Sequence, residues 1–191
     1  MCCFVNYILP KSADQDAVRS AFRTCQYMKV SPVDSQDANV SPSVLAIVGP
    51  DEEVWCRDAL CDCDLPIGKG ISTGTSAAER WLENLQKTEA RYRKKGWSEA
   101  RIQRALDDMK QQKPAVAEDN AADLEHAVAQ IVSGGAAPYI RIIWHFYSGL
   151  ICDEKFEVAD GGTVAADELG GRLWMLPQDT ILTAKPPSHS L

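Results

Sequence analysis

The sequence predicts an α+β fold, in which a mostly antiparallel sheet carries helices on one face and a helical arm. Two distant segments, 1–9 and 139–147, are rich in apolar residues that alternate along the chain. Between them, 76–95, 98–112 and 123–132 show apolar residues at helical spacing. With 191 residues, 45% of them hydrophobic, one domain is expected. It spans 1–184, with a helical insertion at about 76–133 and a frayed tail at 185–191.

In the first strand Cys3, Val5, Tyr7 and Leu9 fall on one face and Cys2, Phe4, Asn6 and Ile8 on the other. Both rows are largely apolar, so the strand is central, and Pro10 ends it. Ser12 with Gln15 reads as a capping box for a helix over 13–25 carrying Val18, Ala21 and Phe22. Short strands are expected at 26–30, 43–48 and 54–57, the last two around the Gly49-Pro50-Asp51 turn. Ser76 with Glu79 caps the helix 76–95, Ser98 caps the next, and 115–120 is an acidic linker before 123–132.

Tyr139–Tyr147 is the clearest strand. A three-residue loop, 148–150, returns the chain as a strand over 151–158. That register sets Ile142 against Phe156, Arg141 against Glu157 and His145 against Asp153. Edge strands follow at 173–176 and 180–183.

No run of 18 apolar residues exists, which excludes a transmembrane helix. Met1 to Leu9 has no basic start and no cleavage site, so it reads as a strand and not a signal peptide. Seven cysteines without an export signal imply free thiols in a cytoplasmic protein. The net charge of −7 disfavours general nucleic-acid binding. Residues 79–113 nevertheless carry ten Lys/Arg and six Asp/Glu, or +4. This basic stretch reads as a solvated helix face or, over 76–112, as a surface for an acidic protein partner.

The chemistry concentrates in Cys56-Arg57-Asp58-Ala59-Leu60-Cys61-Asp62-Cys63-Asp64. Cys56, Cys61 and Cys63 supply three of the four ligands zinc needs, with Asp58, Asp62, Asp64, Cys2 or a histidine to complete the shell. In a regular strand Cys61 and Cys63 stand about 6.5–7 Å apart. Tetrahedral zinc asks for sulfurs about 3.7 Å apart, so chelation requires the chain to turn. Buried structural thiols and redox thiols are the alternatives.

Cys2 is a second candidate. With Met1 removed, its α-amino group can act as base to its own thiol. The opening Met-Cys-Cys-Phe-Val-Asn-Tyr-Ile resembles the start of N-terminal-nucleophile glutamine amidotransferases, although the glycine that follows their cysteine is missing. The resemblance implies Cys2 as nucleophile, and a His145–Asp153 pair can orient a base. The Gly68–Gly74 loop leads into a capped helix but lacks the Walker pattern, so an ordinary connector is the simpler reading.

The opening Met1-Cys2-x-Phe4-x-x-Tyr7-x-Leu9-Pro10, the Cys61-Asp62-Cys63 motif, Trp144-His145-Phe146-Tyr147-x-Gly149 and Leu176-Pro177-x-Asp179 together resemble a group of uncharacterised bacterial proteins. That resemblance implies no activity. It points to Cys2, Cys61 and Cys63 ahead of Cys3, Cys25 and Cys56. Three functions are therefore carried forward: a cysteine-rich thiol site with zinc as the candidate metal, a Cys2 hydrolase or amidotransferase-like enzyme, and a non-enzymatic interaction module.

Overall fold

The computed structural model describes residues 2–25, 28–33, 40–58, 62, 65, 67–68, 87–111 and 116–187. Cys61, Cys63, Asp64, residues 76–86 of the expected long helix, the Gly70–Gly74 stretch and residues 188–191 lie outside them. The described residues form an α+β fold around one six-stranded sheet.

The strands are β1 (Cys2–Pro10), β2 (Val30–Val33), β3 (Glu52–Arg57), β4 (Ile140–Tyr147), β5 (Ala159–Ala165) and β6 (Thr180–Lys185). Their order is β2-β3-β1-β4-β6-β5. All neighbours are antiparallel except β5 and β6. As its two apolar rows demand, β1 is interior: Tyr7 lies opposite Trp55 on one side and Ile142 on the other. Pro32 sits in β2, an edge strand, where a missing amide hydrogen is tolerated.

One face carries Cys3, Val5, Tyr7, Leu9, Trp55, Ile140, Ile142 and Trp144 into the main core. Helix α1 (Gln15–Thr24) covers it with Val18, Ala21 and Phe22, the last ring 4.7 Å from that of Tyr7. Leu124, Val128 and Ile131 of a later helix, Val116–Ser133, complete the layer. The opposite face buries Ile8, Val54 and Ile143 under a smaller cover. That cover is the one-turn helix α2 (Pro42–Leu45) with Val40, Phe156 and Val158.

Between β3 and β4, residues 87–94 are helical and α3 (Glu99–Gln111) follows; the helix 116–133 is α4. Ile102 and Leu106 form a separate small core with Tyr92 and Trp97, whose rings stack at 4.2 Å. Among the described residues no helix is long and apolar enough to cross a membrane.

Several expectations are corrected. The 139–158 hairpin does not form: β4 pairs with β1 and β6, and 151–158 is irregular. Arg141 accordingly bonds Glu52 at 2.7 Å and not Glu157. Residues 43–48 hold the helical turn α2, because Ser41 caps it and Pro42 opens it. The cap of α1 is Asp14, whose Oδ1 accepts from the amides of Asp16 and Ala17, and not Ser12. Residues 116–120 continue α4 and are no linker. Residues 173–176 turn, and β5 was not expected at all.

Candidate functional site

Towards its start, the register of β1 with β3 ends, among the described residues, at the Asn6–Cys56 pair. Asp62 takes over there. Its amide donates to the Cys3 carbonyl at 2.7 Å, and its Oδ2 accepts the Val5 amide at 2.8 Å. One residue thus supplies both the donor and the acceptor that a continuing strand would have offered. The carboxylate is 2% exposed, and Arg57 Nη1 stands 3.7 Å from its Oδ1. A buried charge of this kind persists only with such partners.

Asp62 also marks the electrostatics of the neighbouring core. The Tyr7 hydroxyl is buried and finds no hydrogen-bond partner among the described residues. Burial, reinforced by the Asp62 carboxylate, holds this phenol well above its usual range. Burial likewise pushes the Cys25 thiol up to about 11. Cys25 is therefore an inert core thiol.

The sequence candidates separate into three places. Cys2 is exposed at the start of β1, and Cys3 beside it is buried. Cys61 and Cys63 lie outside the described residues, but each is peptide-bonded to the Asp62 that docks on Cys3 and Val5. Cys56 lies opposite Asn6, and its thiol donates to Asn6 Oδ1 at 3.3 Å. Four strand positions, about 13 Å, part that level from Cys2. Among the described residues no group of three His, Cys, Asp or Glu side chains is arranged to hold a metal.

His145 is the third place. Its Nδ1 is 2.5 Å from Asp179 Oδ1 and its Nε2 3.3 Å from Glu154 Oε1. Asp153 is exposed and takes no part, which corrects the expected His145–Asp153 pair. The slip is one residue: without a hairpin, 151–153 turns and brings Glu154 back over the sheet. Glu154 also accepts from the Ser148 and Gly149 amides at 2.9 and 3.2 Å. The His145 ring and then these amides hold its carboxyl below the usual range. Phe156 stacks on the imidazole at 3.9 Å. Beside it, burial pushes the Tyr147 phenol up to about 12.

The β1–β4 register puts Cys2 opposite Tyr147 and Phe4 opposite His145, so Cys2 and His145 share a face on a diagonal. The Phe4 and Tyr147 rings, 5.8 Å apart, occupy the other diagonal of the same four positions. Both ring nitrogens of His145 already meet carboxylates. The arrangement ties the 154–156 segment and the Asp179 turn to β4, and it leaves no imidazole nitrogen open to a substrate.

Asp179 and Glu154 were missed as partners of His145. Asp179 does stand in the Leu176-Pro177-x-Asp179 motif, and its backbone takes a φ of 61°, a conformation Asp tolerates better than most residues. Glu154 belonged to no sequence motif that pointed to His145.

No family model, curated protein or solved structure matches the chain.

Proposed function

We propose that this protein is a metal-binding thiol protein, in which Cys2, Cys61 and Cys63 hold zinc. The observation that carries the reading is the docking of Asp62 on β1, with its amide on the Cys3 carbonyl and its carboxylate on the Val5 amide. The two cysteines flanking Asp62 are thereby tethered one residue from a fixed point beside the Cys2–Cys3 strand start. A Cys-x-Cys pair alone chelates poorly, and a third thiol at this strand end supplies what it lacks. Arg57 next to Asp62 adds a cation that favours thiolates. Cys56, hydrogen-bonded to Asn6, stays outside the ligand set in this reading. The fourth ligand is a water or one of the neighbouring carboxylates.

The test is metal analysis of the purified chain, by elemental content and by the thiolate-to-cobalt charge-transfer band after cobalt substitution. One zinc per chain, lost in Cys61→Ser/Cys63→Ser and weakened in Cys2→Ser but unchanged in Cys56→Ser, is the expected outcome. A chain that takes up no zinc or cobalt, or takes it up equally with both serines, overturns the proposal.

A further inference from the structure

Away from the cysteines, a pocket of about 210 Å³ opens between α1 and the edge strand β2, lined by Arg19, Arg23, Met28, Lys29, Ser31 and Asp58, with Val30 beneath. Arg19 and Arg23 stand one helical turn apart and so project from the same side of α1. Lys29 faces them from the residue before β2. Three cations and one carboxylate leave the lining at +2, on a chain whose net charge is −7.

The cations are differently held. Arg19 lies 5.3 Å above the Trp55 ring, and its Nη2 donates to Gln15 Oε1 at 3.2 Å. Its Nη1 contact with Asp16 is 3.4 Å long, and that carboxylate is 99% exposed. Arg19 is thus a positioned guanidinium with donor capacity to spare. Arg23 and Lys29 have no ion-pair or side-chain hydrogen-bond partner among the described residues. The single carboxylate of the lining, Asp58, is already engaged: Ser31 Oγ donates to it at 2.7 Å. Cations brought together in excess of their counter-charge repel, and an anion between them relieves that repulsion.

We propose that this pocket binds a phosphate dianion, either free or as the monoester of a small molecule. The +2 lining matches a dianion better than a carboxylate monoanion. Two guanidinium groups offer the forked donors that phosphate oxygens accept. The volume lies below the roughly 300–1,000 Å³ of pockets that enclose drug-sized ligands, so the pocket takes a phosphate group and little more. A second cleft among the described residues, at the ends of β5 and β6, sets Asp167 and Glu168 against Lys185 and has no such convergence of cations.

The experiment is a titration of the full chain at constant ionic strength and about pH 8, above the second pKa of a phosphate monoester, about 6, and of the free ion, about 7. The probes are inorganic phosphate, glycerol 3-phosphate and acetate, read by the backbone amide signals of Lys29–Ser31 and the side-chain Nε signals of Arg19 and Arg23. Saturable shifts in the millimolar range or tighter are expected for the two phosphates and none for acetate. The tighter phosphate identifies the source as free ion or monoester. Arg23→Ala/Lys29→Ala weakens binding at least tenfold, Arg23→Lys/Lys29→Arg retains it, and Lys94→Ala/Lys95→Ala on the helical arm leaves it unchanged. Non-saturating drift common to all three anions, equal loss in both alanine pairs, or undiminished binding in Arg23→Ala/Lys29→Ala overturns the proposal.

Discussion

Asp62 completes the hydrogen bonding of the central strand by accepting the Val5 amide at 2.8 Å, 57 residues away in sequence. Replacing it by alanine strands a buried amide and leaves Arg57 without its carboxylate. Asp62→Ala should therefore lower stability by about 2–4 kcal/mol, and Asp62→Asn, which keeps an acceptor, by about half as much. Urea denaturation of the three proteins measures both. Equal midpoints for wild type and Asp62→Ala would mean that the Val5 bond contributes nothing.

Gly68 rests on Trp144. A Cβ at Gly68 would lie 2.0 Å from the indole Cζ2, and its backbone takes a φ of +67°. The indole has no room to retreat, because its Nε1 donates to the Leu176 carbonyl at 2.9 Å and the residue is buried. Gly68→Ala is expected to cost about 2–4 kcal/mol through strain and overpacking together. A thermal-melt shift of less than about 2 °C would contradict the contact. The first glycine of the stretch considered as an anion loop is thus explained by close packing against an aromatic ring.

Glu154 makes stability depend on acid. Its carboxyl is held below the ordinary value of 4.5 by the His145 ring and by the Ser148 and Gly149 amides. A depressed folded-state value contributes stability above the unfolded pKa, and that stability is lost as pH falls through the folded one. Glu154→Gln should be less stable than wild type at pH 7, with the difference closing towards pH 3. Denaturant midpoints across that range test it, and a difference that does not change with pH removes the carboxylate from the account.

Thiol labelling separates the cysteines. With Cys25 pushed up to about 11, roughly one thiol in a thousand is ionised at pH 8, against about one in four for a free cysteine near 8.5. Iodoacetamide should modify the exposed Cys2 and Cys152 first and reach Cys25 only on unfolding. In the zinc reading, added zinc slows Cys2 but not Cys152. Mass mapping of a time course decides, and rapid labelling of Cys25 in the folded chain would show that its burial is wrong.

The parts of the fold legible in the sequence are those where burial writes a pattern. Two apolar rows revealed β1 as central, and strict alternation revealed β4. Elements set by context left no such trace. Strand β5 reads Ala-Asp-Gly-Gly-Thr-Val-Ala, an exposed edge without periodicity. Its Gly161 is there because a Cβ would come within 2.8 Å of the Thr180 methyl and 2.9 Å of the Ile181 carbonyl. Conversely, Phe156 and Val158 alternate like a strand, yet they serve as an irregular lid over Ile143 and His145. The same limit applies to the site. Cysteine density singled out 56–63, but only tertiary structure could show that Asp62 grips β1. His145 was legible as a residue of interest, while its partners depended on a turn that the hairpin expectation misplaced by one residue.

The interior place of β1 has a consequence for biosynthesis. Cys2 pairs with Tyr147 and Tyr7 with Ile142, so β1 waits for a strand translated some 135 residues later. At about 5–20 residues per second the delay is roughly 7–27 seconds. Through that interval β1 can pair on its β3 side while the edge that β4 will take stays open, an invitation to pair with a neighbouring nascent chain. Yield from a polysome-dense expression host should therefore respond to slower initiation or to chaperones that mask an unpaired strand, even where the finished protein is stable.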